Sequence, residues 1–238
     1  MARYYGPGLA AIHHEAFGGY AEMCAPGILA SLDPGCRVLE LGAGSGALTR
    51  HLIAAGHRVI ATDASVDMLE ILAEAVPQAT KRVLELGIDE IPAASTIVSV
   101  GHALNYLDSV AVVLDVIEQC ARALEPGGLL LMDLLDLSYG AARADLEPIR
   151  WEGEGWVMDV SFSLPAPDRF VRDISIERTS AQGEKVVEHE RHVNVLLDAS
   201  RAIEALSAVG IDADLQPSFG EEELPGGFVV LRGSRLEA

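Results

Sequence analysis

Residues 38–46 read Val-Leu-Glu-Leu-Gly-Ala-Gly-Ser-Gly, and Asp63 follows Gly42 by 21 residues at the end of a second apolar run. An apolar strand ending in glycines turns tightly into a helix, which brings backbone N–H groups and a helix N-terminus close to a polar ligand. A carboxylate at the tip of the next strand can accept hydrogen bonds from ribose hydroxyls. Few folds satisfy both demands. The pairing points to a strand–helix–strand unit that holds a nucleoside-bearing cofactor.

The rest of the first half extends this unit. After a helical stretch at 20–32, strand-like and helix-like segments alternate over 37–41, 46–55, 58–62, 66–75, 81–85, 96–100, 109–123 and 128–133. Short β-rich runs alternating with helices predict a parallel sheet wrapped by right-handed crossovers. The pattern changes near Ser138. From Ile149 to Leu197 the segments IRWEGEGWVMDVSFSL, RFVRDISIERT and KVVEHERHVNVLL alternate with turn signals at Ala166-Pro167-Asp168 and Ala181-Gln182-Gly183, as antiparallel strands do. A helix at 198–209 and strands near 212–217 and 227–232 would return to the core sheet. The expected fold is α/β: a doubly wound, mostly parallel seven-stranded sheet with an antiparallel β insertion. Its core would span 1–136 and 198–238, with residues 1–32 as an N-terminal lid and 137–197 as the insertion. Residues 1–18 mix aromatics, His and Gly without a clear period.

The glycine turn alone leaves the cofactor open, since Gly42, Gly44 and Ala47 also satisfy the dinucleotide pattern G-x-G-x-x-G/A. Three features argue against a nicotinamide. The third glycine is Gly46, giving G-x-G-x-G, and Glu40 stands two positions before the first glycine, where a pyrophosphate would meet a negative charge. Ser65 after Asp63 can cap a helix that turns Met68 toward the ligand. A Tyr-x-x-x-Lys set for hydride transfer is also missing.

The stretches VLELGAGSGALT (38–49), VIATDASVDML (59–69), IVSVGHALNYL (97–107) and ALEPGGLLLMDLLD (123–136) together resemble the class I S-adenosylmethionine-dependent methyltransferases in order and spacing. The resemblance covers the first 136 residues and implies a Rossmann-like fold with S-adenosylmethionine as cofactor. The cofactor would lie across Gly42, Ala43, Gly44 and Gly46, with Glu40 and Gly101 beside it, ribose on Asp63 and adenine near Ala64 and Met68. After the third strand the family places a polar residue on the adenine amino group. Here Leu84–Asp89 offers two carboxylates, neither in clear register, so that contact stays unassigned, with the backbone of Gly87 and Ile88 as the candidate. The second half resembles small-molecule methyltransferases, including aminosugar and glycine N-methyltransferases, in outline only.

Composition narrows the partners. A net charge of −19, with no Lys/Arg cluster among 17 basic residues, disfavours binding to a phosphate backbone. Asn-Pro-Pro or Asp-Pro-Pro turns and a Pro-Cys nucleophile, which base-modifying methyltransferases carry, are missing. Acidity is also compatible with a cationic amine substrate. Three cysteines without metal-ligand spacing, no apolar run near the ~18 residues of a membrane span and no basic-then-apolar leader predict a cytoplasmic protein with no bound metal. A monomer or homodimer acting on a small acceptor is expected.

Methyl transfer needs an unprotonated acceptor held in line, which gives a general base a role. His102 and Asn105 in GHALNYL, just past the fourth strand, are the first candidates, with Tyr106 beside them for acceptor binding. Asp133 and Asp136 follow the fifth strand, and Asp136 is favoured for the acceptor pocket. His13, His14, Tyr4 and Tyr5 would belong to the lid, with His14 touching the acceptor. In the insertion Glu188, Glu190 and His192 share one strand face by period two, His189 and Arg191 the other, so His192 between carboxylates is a further base candidate. Trp151 and Trp156 fit insertion core or acceptor platform equally. A different class stays open: an enzyme that binds S-adenosylmethionine for a rearrangement or cyclisation without transferring methyl.

Overall fold

Alternating residues of single strands divide between two apolar layers, and this builds the molecule. The computed structural model describes residues 4–143, 145–179 and 183–237. Two helices, α1 (Pro7–Ala16) and α2 (Gly19–Ala30), precede β1 (Arg37–Leu41), α3 (Ala47–Ala54), β2 (Arg58–Asp63), α4 (Val66–Ala75), β3 (Thr80–Val83) and β4 (Ala94–Ser99). A 3-10 turn at Ala103–Tyr106 leads to α5 (Val110–Ala123) and β5 (Leu124–Leu135). After α6 (Leu137–Ala141) come β6 (Ile149–Gly153), β7 (Trp156–Ala166), β8 (Arg169–Thr179) and β9 (Lys185–Val195). The chain then adds α7 (Ser200–Ala208), β10 (Ile211–Gln216) and β11 (Phe228–Arg235).

The main sheet has the order β10-β11-β5-β4-β1-β2-β3, parallel except at β11, which runs antiparallel to both neighbours. Leu39, Ile97, Leu130 and Met132 pack on one face against Val113, Val116 and Ile117 of α5 and Leu206 of α7. Their neighbours Val38, Val98 and Leu131 pack on the other against Ile28 of α2, Leu52 of α3 and Leu72 of α4. A strand buried on both faces reads as a continuous apolar run, which is why β1 and β4 were legible without alternation. The strand order reverses between β1 and β4. Their carboxyl ends therefore splay apart, leaving the crevice where open α/β sheets take ligands.

The second sheet, β6-β7-β8-β9, is antiparallel throughout. Three strand segments were expected there and four strands form, because Glu154-Gly155 turns IRWEGEGWVMDVSFSL back on itself, with Gly155 at φ +77°. The expected turn residues Ala181 and Gln182, like residues 1–3 of the N-terminal segment, lie outside the described residues. Residues 7–16 correct the aperiodic reading. Pro7 sets the first turn, and Leu9 and Ile12 are buried against Trp156, Met158, Val160, Ile174 and Ile176 of the second sheet. Gly8 and Ala10 are also buried, so the apolar stripe is broad and its period indistinct.

Candidate active site

A cavity of about 920 Å³ opens at the carboxyl ends of β1, β2 and β4 and reaches the inner face of the second sheet. Its floor is the glycine turn. Gly42 and Gly44 sit at φ +66° and +54°, and a Cβ on Gly42 would lie 2.5 Å from the Ala103 Cβ. Only glycine leaves the chain room to pass there. Asp63 holds this turn to the next helix: Oδ2 accepts from the Gly44 N–H at 2.9 Å and Oδ1 from the Ser65 N–H at 2.8 Å. Ser65 caps α4 by accepting from the Met68 N–H at 3.2 Å, and Met68 is buried against the cavity.

Glu40 lies buried under the turn, where the Thr49 hydroxyl donates to it at 2.7 Å. Burial pushes its carboxyl up to about 8, and burial also raises Asp63 against the pull of its backbone donors. Both carboxyls line the cavity, where a cationic, hydroxyl-bearing ligand would favour their ionised forms. S-adenosylmethionine fits that description, and the glycine cradle gives it room. Ala43, Ala64, Gly87, Ile88 and Gly101 line the same cavity, with Glu85, while Asp89 turns away to accept from the Glu85 N–H at 2.8 Å. Gly46 does not line it. At φ +91° a Cβ there would come within 3.1 Å of Leu72 and 3.2 Å of Val76, so this glycine serves helix packing rather than a ligand.

Behind the floor, Asp133 is fully buried and organises the turn after β4. It accepts from the N–H groups of Gly101 at 2.9 Å and His102 at 2.7 Å, and from the Tyr20 hydroxyl at 2.7 Å. Burial pushes it up to about 6 despite these donors. His102 is thereby held at φ +53°, stacked on Tyr106 with ring centroids 5.7 Å apart. Both its ring nitrogens are buried and without a hydrogen-bond partner among the described residues. Burial, reinforced by the Arg172 charge, keeps its pKa well below the ordinary imidazole value, so it lines the cavity as a neutral ring.

The roof comes from β8 and β9. His192 is buried, its Nε2 2.8 Å from Glu190 Oε2 and its Nδ1 3.2 Å from the Tyr106 hydroxyl. Tyr106 also contacts the Tyr5 hydroxyl at 3.0 Å and accepts from the Arg172 guanidinium. Burial lowers His192, and Arg172 lowers it further against the opposing hydrogen bond from Glu190. Burial would raise Glu190, but donors from His192, Gly6 and Tyr5 outweigh it and leave its pKa below the usual carboxylate value. A neutral imidazole therefore donates from Nε2 to a carboxylate and offers Nδ1 to the tyrosine. Glu190 also fastens the N-terminal segment, accepting from Tyr5 N–H and Gly6 N–H at 2.8 Å each, while Ser65 Oγ donates to the Tyr5 carbonyl at 2.8 Å.

Three expected site residues stand elsewhere. Asn105 is buried but faces the protein: its Oδ1 accepts from Leu135 N–H at 2.9 Å and its Nδ2 donates to the carbonyls of Leu135 and Val195. All its capacity goes to joining β5 to β9, and none reaches the cavity. Asp136 caps α6 through Ser138 N–H at 3.0 Å and does not line the cavity, while Asp133 acts behind the floor through the turn it holds. His14 is exposed, since α1 turns His13 inward instead. Trp151 reaches the cavity, whereas Trp156 packs under α1 with its Nε1 donating to Glu15 at 3.0 Å. Arg172 and Phe228 line the cavity and went unforeseen. A signal for Arg172 was present: it interrupts the apolar run Phe170, Ile174, Ile176 on one period-two face of β8.

Residues 39–132 match the family model described as a methyltransferase domain. An uncharacterised methyltransferase of Mycobacterium tuberculosis strain H37Rv is 40% identical over 150 residues, which are 60% of this chain and 58% of that protein. Less than two thirds of the curated relatives' length is thus covered. The sugar N-methyltransferase KedS8 of Streptoalloteichus sp. ATCC 53650 has a TM-score of 0.80 at 18% identity, covering 100% of this chain and 98% of that one. An S-adenosylmethionine-dependent methyltransferase of Clostridium acetobutylicum reaches 0.79 at 13% identity, with 96% and 98% covered. At these identities the solved structures speak to the fold. No helix among the described residues is long and apolar enough to cross a membrane. With the strand order, the glycine turn and the matched segment in agreement, residues 39–132 carry a methyltransferase domain, and the chain has the fold of the class I S-adenosylmethionine-dependent methyltransferases.

Proposed function

We propose that this protein transfers methyl from S-adenosylmethionine to an oxygen or nitrogen of a small molecule in specialised metabolism. The observation that carries this is the single cavity joining the Gly42–Asp63 floor to the Tyr106–His192–Glu190 roof. Glu40, Gly42, Ala43, Gly44, Asp63, Ala64, Met68 and Gly101 would hold the cofactor, with Gly87 and Ile88 at its adenine end. Bound there, it supplies a methyl group activated by a sulfonium. Residues 137–197 would be an insertion in the core of 1–136 and 198–238 and wall the acceptor side, with the N-terminal segment as lid. Solved neighbours that include a sugar N-methyltransferase and a glycopeptide N-methyltransferase are in keeping with a small acceptor under a roof. Three free cysteines are compatible with a cytoplasmic protein.

The residues of the roof would manage the proton. The acceptor gives its proton to Tyr106 Oη as the phenol passes its own to His192 Nδ1, and the resulting imidazolium is compensated by the Glu190 carboxylate. Arg172 occupies the tyrosine oxygen and so aims its O–H at His192. His102, neutral and unpartnered, would orient the acceptor. This chain of groups favours methyl transfer over the non-methylating alternative, which has no use for a base backed by a carboxylate. The test is calorimetry with S-adenosylhomocysteine, NADH and NADPH, followed by a metabolite screen coupled to homocysteine release. Micromolar sulfide binding and product release on a small acceptor are expected. Nicotinamide binding without S-adenosylhomocysteine binding overturns the assignment, and substrate conversion that requires S-adenosylmethionine but releases no S-adenosylhomocysteine favours the rearrangement class.

A further inference from the structure

Five arginines stand on the second sheet, and four of them meet a carboxylate. Arg150 pairs with Asp159 at 2.9 Å, Arg169 with Asp168 at 2.9 Å, Arg178 with Glu188 at 2.6 Å and Arg191 with Asp173 at 2.9 Å. Arg172 differs. Its guanidinium donates to the Tyr106 hydroxyl and to Asn194 Oδ1 at 3.3 Å, its Nε is buried with no partner, and no carboxylate forms an ion pair with it among the described residues. Four carboxylates line the chamber, Glu40, Asp63, Glu85 and Asp108, and Glu190 and Asp133 stand just behind its walls. Glu190 is engaged by His192 and two backbone N–H groups, Asp133 by Gly101, His102 and Tyr20, Asp63 by Gly44 and Ser65, and Glu40 by Thr49. The three nearby imidazoles, His13, His102 and His192, all have lowered pKa values, so they add no compensating charge of either sign.

A guanidinium stays protonated under all ordinary conditions, and a desolvated charge without a counter-ion is costly. The chain keeps one at the cavity wall nonetheless, with an N–H left over. Around it the roof is apolar and aromatic, formed by Trp151, Met158, Val160, Phe162, Ile174 and Phe228. We infer that Arg172 is the binding site for a carboxylate on the acceptor, and that the acceptor is a small acid with an apolar or aromatic body. The inference rests on the methyltransferase reading for the word acceptor, but the anion site stands on Arg172 alone. It opposes the cationic amine that the overall acidity would draw: the surface and the cavity floor are acidic, and the roof at Arg172 is locally positive. Because Arg172 and the Tyr106–His192 pair meet at one hydroxyl, the methylated oxygen or nitrogen would lie a few bonds from the bound carboxylate.

The experiment is calorimetric titration of the S-adenosylhomocysteine-loaded protein with 3-phenylpropionate and with its neutral isostere 3-phenylpropionamide. The acid is expected to bind at least about tenfold more tightly than the amide, the scale of a charge-assisted hydrogen bond. R172Q should abolish that preference while leaving S-adenosylhomocysteine affinity within about threefold, and R172K should keep part of it because a point charge replaces the fork. Equal binding of acid and amide by the wild type, binding of neither, or a preference surviving in R172Q overturns the inference. Unfolding temperature and S-adenosylhomocysteine binding report whether R172Q keeps its cavity, and the wild-type ratio stands without any variant. Failure of the wild type to bind S-adenosylhomocysteine would defeat the methyltransferase reading instead, and the acid–amide ratio measured without it still tests the anion site.

Discussion

The floor and the roof of the cavity handle buried polarity in opposite ways. On and behind the floor each carboxylate is held by donors fixed in the fold: Asp63 by Gly44 and Ser65, Asp133 by Gly101, His102 and Tyr20, Glu40 by Thr49. On the roof, and on the turn facing it, polar atoms are left over, including Arg172 Nε, Asn194 Nδ2 and both nitrogens of His102. Buried groups without partners are rare because each costs about 1–3 kcal/mol. A floor that completes itself can be shared across a family with one cofactor. A roof that does not is shaped to be completed by whatever it receives.

The sharpest break of this contrast is on the roof. His192→Phe removes the base but keeps a buried ring, and should lower turnover about 100-fold while changing S-adenosylhomocysteine affinity by less than about threefold. Steady-state kinetics beside calorimetry checks this, and an equal loss of both would dissolve the division between roof and floor. Asp63→Ala should do the reverse, costing about 1.5–3 kcal/mol of cofactor affinity by calorimetry. Since Asp63 also ties Gly44 to α4, the unfolding temperature should fall with it.

Asn105→Ala belongs to neither surface. It would strand Leu135 N–H and two carbonyls, so about 1–3 kcal/mol of stability should be lost in denaturant titration, with turnover per folded molecule little changed.

Glu40 gives a pH signature. With its carboxyl pushed up to about 8, it is protonated at neutral pH, and a cation bound beside it favours ionisation. Cofactor binding should therefore release a proton below about pH 8, with affinity rising with pH and levelling above that value. The unfolded carboxyl ionises in its ordinary range, so folding stability carries the opposite trend, falling as pH rises toward about 8. Glu40→Gln should remove both slopes, as read by calorimetry in buffers of different ionisation enthalpy and by melting across pH. The smallest effect is expected at His14→Ala, which should leave binding and turnover unchanged because the side chain is exposed. A loss there would place the acceptor outside the cavity.

The floor was legible because its parts are local. Strand, glycine turn and following carboxylate stand at fixed spacings that the βαβ unit itself dictates, and Ser65 caps α4 three residues before the N–H it accepts. The roof was half legible. Period two placed Glu190 and His192 on one face, yet which face looked inward depended on α1, whose broad apolar stripe hid its helix. Between Asp133 and Asp136, three residues apart, the choice lay in the register of β5 against β4, which pairs Met132 with Ser99 and brings Asp133 beside Gly101. Asn105 and His102 share one turn, and only the position of β9 decides which of them looks into the cavity. Long-range partners of this kind leave no trace in local spacing.

Tyr5 belongs to both surfaces. Its N–H is held by Glu190 of the roof and its carbonyl by Ser65 at the tip of β2, with the residue at φ +58°, an unfavourable conformation for tyrosine. One peptide segment is thus stretched between two guests, the cofactor on one side and the acceptor on the other. A ligand on either side that requires this segment in place lowers the ordering cost left for the other. By thermodynamic reciprocity the help is mutual and equal: the factor by which cofactor tightens acceptor is the factor by which acceptor tightens cofactor. A single residue would then set the conversation between two binding events, and its strain would be the reason the conversation can also end.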